Sequence, residues 1–419
     1  MNRIKIFENG LTLVVCPMEG IYSASVAVMV NVGSAMETRE ENGFSHFIEH
    51  MLFKGTDKRT AFDISETIEN AGGQLNAYTS KDVTCFYTRT SSEHTENCVE
   101  LLSDMFFFSK FDPEEFERER KVIIEEIIMG EDIPDECCQD LIASALFGDT
   151  GLGMTIPGSA EGIGKATRED ILDFRARHYT PANVCVSIAG DITYEKALEL
   201  TEKYFLHNFP ENIGNKKYTI EKQETFARFY KSTRTTEQSY ICLGCPSPGL
   251  GDPVNYTNSV MNNILGGGMS SRLFQSLREK NGLCYSVFSY LSTYMNNGYF
   301  EIFVGTSPKN AEISLQLIVD ECHRLVSEGA TESEVTRGKE QFKGATVLSL
   351  ENSLTVATMN GGYALRNGVL LDFEERKRNI NAITVEDVNA AAVKLLDMKN
   401  FSLAYVGKGL RRNLFRMLH

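Results

Sequence analysis

Positive charge, histidine and long apolar runs are all scarce in this sequence. Lysine and arginine number 42 against 57 acidic residues, giving a formal net charge of −15 over 419 residues. Phosphate binding needs concentrated Lys and Arg, so nucleic acid is not an expected partner. No apolar run reaches the length of a membrane-spanning helix, so no membrane partner is expected either. The stretch from Met1 to Gly10 shows neither an apolar core region nor a small-residue cleavage site, and reads as carrying no secretion signal. The ten cysteines lack a disulfide-like rhythm, and Cys185 and Cys284 lie in apolar surroundings. Reduced thiols and a cytoplasmic location follow as expectations. Cys242 and Cys245 form an isolated CxxC without a second pair. It reads as packing at a strand end rather than a redox dithiol or half of a zinc site.

What is present is concentrated in one stretch, Gly43 to Gly55. Phe44, Phe47, Ile48, Met51 and Leu52 fall at i, i+3, i+4, i+7 and i+8, the spacing of a core-facing helix. His46, Glu49 and His50 share a second stripe, because residues three and four apart on a helix are neighbours. Two histidines at i and i+4 can hold one zinc ion, and the carboxylate just before the second can act as a base on water there. A single helical histidine is usually packed or solvated. With only seven histidines in the chain, this pair with its intervening Glu arises by chance in roughly one such chain in a hundred. Gly55 is the expected stop of the helix.

Strands are expected over Leu11–Cys16 and Ser23–Val32, with a helix near Ala61–Asn70. A hairpin follows, with arms 74–79 and 83–88. Glu96–Ser109 reads as an amphipathic helix. Asp112-Pro113-Glu114-Glu115 is a strong helix start, and the helix is expected to run to Ile128 with Gly130 just past it. Glu119 and Glu126 share one of its faces. Glu pairs on helices usually face water, but Glu126 is flanked by Ile124, Ile127 and Ile128, which makes it a candidate buried carboxylate. Further helices are expected over Asp135–Phe147, Thr167–His178 and Tyr194–Phe205, and a buried strand over Val184–Ala189.

The second half repeats the first. Thr167-Arg-Glu-Asp170 recurs as Thr384-Val-Glu-Asp387 (384 − 167 = 217), and Val184 to Gly190 lands on Phe401 to Gly407 at the same offset. A plan used twice implies an α+β fold of two homologous α/β-sandwich domains, each a mostly antiparallel sheet packed with helices. The expected division is a zinc-binding domain over 1–208, a polar linker over 209–223 and a repeat domain over 224–419. The second copy has no histidine where the first has His46 and His50, and Lys343 stands where the first has Glu126.

With these pieces together, the chain resembles the pitrilysin-type zinc metallopeptidases, the inverzincins, whose signature is His-x-x-Glu-His. The family includes insulin-degrading enzyme and the mitochondrial processing peptidase. The resemblance rests on Gly43 to Thr56, Asn76-Ala77-Tyr78-Thr79, Glu117 to Ile127, Gly267 to Phe274 and Arg278 to Tyr285, and it spans the whole chain. It implies one zinc per chain held by His46, His50 and Glu126, with Glu126 rather than Glu125 as the third ligand. It implies Glu49 as general base and Glu119 as a supporting carboxylate. Asn76 would hold the peptide substrate as an added strand, and Arg278 and Tyr285 would contact it, Tyr285 also serving the oxyanion. It further implies an endopeptidase acting on extended or unfolded peptides in a closed chamber formed by a homodimer, or by a heterodimer with a related chain. The family's alternative is a non-catalytic subunit that holds substrate or structure. Such members lose motif residues that are all present here.

Overall fold

The computed structural model describes residues 2–210, 216–409 and 414–418. Its strands are β1 (Arg3–Ile6), β2 (Thr12–Pro17), β3 (Ser23–Val30), β4 (Gln74–Thr79), β5 (Thr84–Ser91), β6 (Val184–Gly190), β7 (Phe229–Thr233), β8 (Ser239–Ser247), β9 (Cys284–Tyr294), β10 (Asn297–Thr306) and β11 (Ser402–Gly407). Among the described residues they form two sheets, in the orders β1-β2-β6-β3-β5-β4 and β7-β11-β8-β10-β9. Each sheet has one parallel pair, β2 with β6 and β7 with β11; the other neighbours run antiparallel. With β1 set aside, the two orders are the same, so the duplication in sequence is a duplication of topology. The expected α+β plan of two related domains is the plan observed. Strand β1, which the sequence reading did not include, extends the first sheet only.

The repeat is visible in helix capping as well. Thr167 and Asp170 close a reciprocal capping box on the helix Arg168–His178, and Thr384 and Asp387 do the same on Val385–Leu395. Each box satisfies backbone amides that the first turn cannot pair internally. Each helix then leads into a strand of the parallel pair, β6 or β11.

Alternate residues of the first sheet enter different cores, as the two-residue period of a strand requires. Leu13, Val15, Val26, Val28, Val186 and Ile188 join the large core that includes Phe44, Phe47, Ile48, Met51, Ile123 and Ile127. Val14, Cys16, Ala27, Met29, Cys85 and Cys185 join a second core with Val356, Ala357, Ala364 and Leu365. Because both faces are covered, the strands read as nearly continuous apolar runs.

The cover on that second face comes from a distant part of the chain. The first compact unit comprises the chain up to Ile127, Thr155–Thr219 and Val347–Asp372; the second comprises Ile128–Met154, Ile220–Thr346 and the chain from Phe373. Helix Ser353–Asn367 therefore lies on the first sheet. Ser353 Oγ meets Ser25 Oγ at 2.9 Å, Ser187 Oγ donates to the Ala357 carbonyl at 2.7 Å, and Arg366 pairs with Asp82 at 3.1 Å. Helix Pro134–Phe147 lies on the second sheet, where Ser402 Oγ donates to the Ala145 carbonyl at 3.3 Å. These compact units differ from the expected contiguous division into 1–208, 209–223 and 224–419 by the segments each half places on the other's sheet. A sheet with two apolar faces needs two covering layers, and one layer is supplied by the other half of the sequence.

Residues 211–215 of the expected linker lie outside the described residues. The rest is held in place: Asn183 donates to the Lys216 carbonyl at 3.0 Å and accepts from the Tyr218 amide at 3.0 Å, and Ile220 is buried. The helix Pro113–Glu131 runs through Gly130 instead of stopping before it, and Ile128, one of the isoleucines flanking Glu126, is 44% exposed. All ten cysteines are free. Cys242 and Cys245 are both buried, but three positions apart on β8 they point to opposite faces and cannot form a dithiol. No helix among the described residues is long and apolar enough to cross a membrane.

Phe47 and Phe116 stack with ring centroids 4.5 Å apart, both essentially unexposed, and join the helices Phe44–Leu52 and Pro113–Glu131. Phe47→Ala should destabilise the first unit by about 3–5 kcal/mol, the usual cost of deleting a buried aromatic ring. Denaturant unfolding followed by circular dichroism measures this, and a loss below about 1 kcal/mol would show that the stack contributes little.

Candidate metal centre

The helix Phe44–Leu52 starts at Gly43, whose φ of +99° is in the left-handed region and whose position leaves no room for a side chain. A Cβ there would lie 2.5 Å from the Pro157 carbonyl oxygen. Glycine suits both constraints but supplies no capping side chain. Glu37 fills that role from outside the helix: its carboxylate accepts from the amides of Gly43 and Ser45, each at 2.8 Å, and from Asn42 Nδ2 at 3.1 Å. A negative charge at a helix N-terminus is favourable there. Burial pushes the Glu37 carboxyl above its ordinary pKa, against the pull of those hydrogen bonds.

The apolar stripe of this helix is buried as the sequence pattern requires, and the other stripe carries the chemistry. His46 Nε2 lies 3.6 Å from Glu126 Oε1, and His50 Nε2 lies 3.4 Å from Glu126 Oε2. One donor atom from each of the three side chains lies within 4.8 Å of the others. Ligand atoms around a tetrahedral zinc stand about 3.3 Å apart, as bonds of roughly 2.0–2.1 Å demand. The two imidazoles and the carboxylate therefore fit such an ion in chemistry, and their donors lie close enough to reach that spacing by small side-chain shifts. Glu126 itself is not buried, with its side chain 51% exposed. Glu119, two turns earlier, is the buried carboxylate, 3% exposed.

Glu119 Oε2 meets His50 Nδ1 at 3.1 Å, and Glu119 Oε1 meets Lys54 Nζ at 2.7 Å. Burial alone would raise the Glu119 pKa, but its bonds to His50 and Lys54 prevail and hold it below the ordinary carboxylate value. For His50, burial favours the neutral ring, yet hydrogen bonds and charge from Glu119 and Glu126 carry its pKa up to about 9. His46 goes the other way, to about 4, through burial and the neighbouring His50. Glu126 is lowered, chiefly by its contact with His50. Glu49 is raised by burial, against a hydrogen bond from Thr79 Oγ1 to its Oε2 at 2.5 Å.

The remaining expected residues fall in two places. Asn76 is an exposed residue of β4, the edge strand of the first sheet, and its Oδ1 accepts from the neighbouring Ala77 amide at 2.8 Å. Arg278 and Tyr285 belong to the second unit and meet each other: Arg278 Nη1 donates to the Tyr285 carbonyl at 2.8 Å, and the guanidinium lies 4.6 Å from the Tyr285 ring centre. Tyr285 is 78% exposed, at the start of the edge strand β9. In the second copy, Lys343 pairs with Glu340 at 2.5 Å and donates to Asn381 Oδ1 at 3.0 Å, so it presents a cation where the first copy presents the carboxylate of Glu126.

Sequence reasoning missed the parts played by Glu37, Lys54 and Thr79. A helix opening on glycine, with no Ser, Thr, Asp or Asn cap, was the available sign that its amides needed an acceptor from elsewhere.

A two-domain α+β chain with a His-x-x-Glu-His helix facing a third carboxylate defines a class of metallopeptidase fold, and comparison with known proteins places the chain within it. Residues 15–159 match the family described as Insulinase (Peptidase family M16), and residues 165–342 match the Peptidase M16 inactive domain. The chain belongs to the M16 family, the pitrilysin type. It is 36% identical to the uncharacterized zinc protease YmxG of Bacillus subtilis, over 95% of this chain and 96% of that protein. Its fold matches the peptidase M16 inactive domain from Pseudomonas fluorescens with a TM-score of 0.90 at 21% identity, covering 98% of this chain and 99% of that one. It also matches a protease from Helicobacter pylori with a TM-score of 0.89 at 24% identity, covering 97% and 99%.

The pKa pattern predicts the proton balance of metal binding. At pH 7 the metal-free chain holds His46 neutral, Glu126 ionised and His50 protonated. Binding zinc should therefore expel about one proton, and apparent affinity should rise by about tenfold per pH unit until pH approaches 9. Calorimetry in buffers of different ionisation enthalpy counts the proton. Zero released would mean that His50 is already neutral.

Proposed function

We propose that this chain is a zinc-dependent endopeptidase acting on extended peptides or small unfolded polypeptides. The observation that carries the proposal is the convergence of His46, His50 and Glu126 donors within 4.8 Å, with Glu49 on the same helical stripe. The names of its relatives as zinc proteases support it. Zinc, one per chain, when bound to these three side chains, supplies a Lewis acid that polarises water and a peptide carbonyl.

Glu49 takes a proton from the attacking water and returns it to the leaving amine. Its burial raises its proton affinity toward the working pH, the direction a general base needs. Glu119 holds the His50 ring by its Nδ1 so that Nε2 faces the ligand position. The peptide joins β4 as an added strand, recognised through main-chain hydrogen bonds more than through side chains. Asn76 covers the Ala77 amide in the free protein and swings away to admit the peptide. Arg278 and Tyr285 contact the substrate, with Tyr285 donating to the developing oxyanion. In the homodimer that encloses the reaction chamber, these two residues serve the partner's zinc site. The ten free cysteines suit the reducing cytoplasm.

Glu49→Gln should retain zinc and lose hydrolysis of a quenched fluorescent peptide by at least about 10²-fold, the scale of a lost general base. Chelation should abolish activity in the unmodified protein. Full activity in Glu49→Gln would remove Glu49 from its role, and zinc-free protein without chelator-sensitive cleavage would favour a non-catalytic chain.

Shared sites have their own test. Mixing Glu49→Gln chains with Arg278→Ala chains should recover about a quarter of the activity if random exchange forms dimers with one intact composite site in half of the molecules, a figure that rests on the isologous pairing of a two-fold dimer. Gel filtration confirms the dimer. No recovery in an exchanging mixture would confine each site to one chain.

A further inference from the structure

Thr79 has no part in the ligand set or the steps above, yet its hydroxyl donates to Glu49 Oε2 at 2.5 Å. It is the last residue of β4. Leu75, Ala77 and Thr79 share one face of that strand, and Leu75 and Ala77 pack against the large core behind the His46 helix. Thr79 therefore approaches Glu49 from the inner face of the strand, while the outer edge of β4 has no strand partner among the described residues.

The chain just beyond Thr79 is firmly held. Ser80 N donates to the Val83 carbonyl at 2.8 Å, and Ser80 Oγ accepts from the Val83 amide at 3.2 Å. The amides of Ser34 and Ala35 donate to the carbonyls of Ser80 and Lys81 at 3.3 and 2.7 Å. That approach is close enough that a Cβ on Gly33 would fall 2.2 Å from the Ser80 oxygen. Asp82 is tied to Arg366 at 3.1 Å. The hairpin turn is thus fixed by the Ser34 segment, by β5 and by the helix Ser353–Asn367, and Thr79 inherits that rigidity. Glu49, by contrast, ends a flexible side chain whose carboxylate would otherwise choose among several rotamers.

We propose that Thr79 is a positioning residue: its hydroxyl fixes the Glu49 carboxylate by Oε2, which leaves Oε1 for the reacting water. Because Thr79 stands on the strand whose free edge takes the peptide, one rigid element locates both base and substrate. This inference rests on the peptidase reading above. A threonine at a strand end can also simply fill space with its methyl group, and the two roles separate by substitution. Thr79→Val keeps the shape and removes the hydroxyl. Thr79→Ser keeps the hydroxyl and removes the methyl.

The test uses the full chain, zinc-loaded for kinetics and metal-free for crystallography. In Thr79→Val, kcat should fall about 10- to 100-fold, the effect of a slightly misplaced catalytic group, with KM and zinc content unchanged. Thr79→Ser should stay close to the unmodified chain. Crystals of the metal-free variants should show the Glu49 carboxylate in place in Thr79→Ser and displaced in Thr79→Val. An unchanged kcat in Thr79→Val, an equal fall in Thr79→Ser, or an unmoved carboxylate in Thr79→Val each overturns the proposal. Absence of chelator-sensitive hydrolysis in the unmodified chain defeats the peptidase reading, and with it the catalytic half of this one. The crystal comparison then still decides whether Thr79 holds Glu49.

Discussion

A nearly unexposed carboxylate, Glu119, bridges His50 and Lys54, and the geometry of the site follows from that burial. Removing a charge from water is costly, and breaking a buried pair by deleting one partner typically costs about 3–5 kcal/mol. Each Glu119 oxygen has its own partner, at 3.1 and 2.7 Å. Lys54 lies two residues past the end of the His46 helix, so one carboxylate ties that helix, the turn after it and the helix Pro113–Glu131 together. The His50 ring is held by Nδ1 and turns Nε2 toward Glu126. Glu126 needs no burial of its own. It stands seven residues, about 10.5 Å of helix, beyond an anchored neighbour.

That arrangement explains which parts of the site were legible in the sequence. His46, Glu49 and His50 lie within five residues, and helical periodicity alone puts them on one stripe. Glu119 and Glu126 also share a stripe, but Glu126, the candidate for burial, is half exposed and Glu119 is the buried one. Isoleucines beside Glu126 in sequence are not beside it in space, since consecutive residues on a helix point about 100° apart. Ile123 and Ile127 face the core and Ile128 faces outward. Glu37 and Thr79 reach the site through tertiary contacts, and neither reveals its partner by spacing. The motif around Thr79 carried the family resemblance without showing what its hydroxyl touches.

The same distinction governs the fold. The duplication was legible because its signals are local: capping boxes, apolar strands and a constant offset. The exchange of helices was not, because the pattern of Ser353–Asn367 records an amphipathic helix and not the sheet it will cover. The corresponding helix in the first half begins at Pro134, an offset of 353 − 134 = 219, close to that of the repeat. The exchange is therefore reciprocal: each copy gives the same helix to the other's sheet. Strands buried on both faces made this possible, since each sheet had an apolar surface that its own half left open.

Duplication also separates what the fold requires from what the chemistry requires. Both copies keep the parallel pair, the capping box and an edge strand at the corresponding place, β4 in one and β9 in the other. Beside β4 stand two imidazoles, Glu126 and Glu49, whose carboxylate accepts from the Thr79 hydroxyl. Beside the start of β9 stand Arg278 and an exposed Tyr285, and the position equivalent to Glu126 holds Lys343. An ammonium group at that position repels a divalent cation and cannot ligate one while protonated. Among the described residues the second copy shows no cluster equivalent to His46, His50 and Glu126, while its sheet is covered by the helix Pro134–Phe147 from the first half. Its edge strand β9 carries Arg278 and Tyr285 at its start, the two residues to which the proposed function gives the substrate contacts. The division of labour follows from a few side chains on a shared backbone plan, and the shared plan explains why the two copies still present equivalent edges.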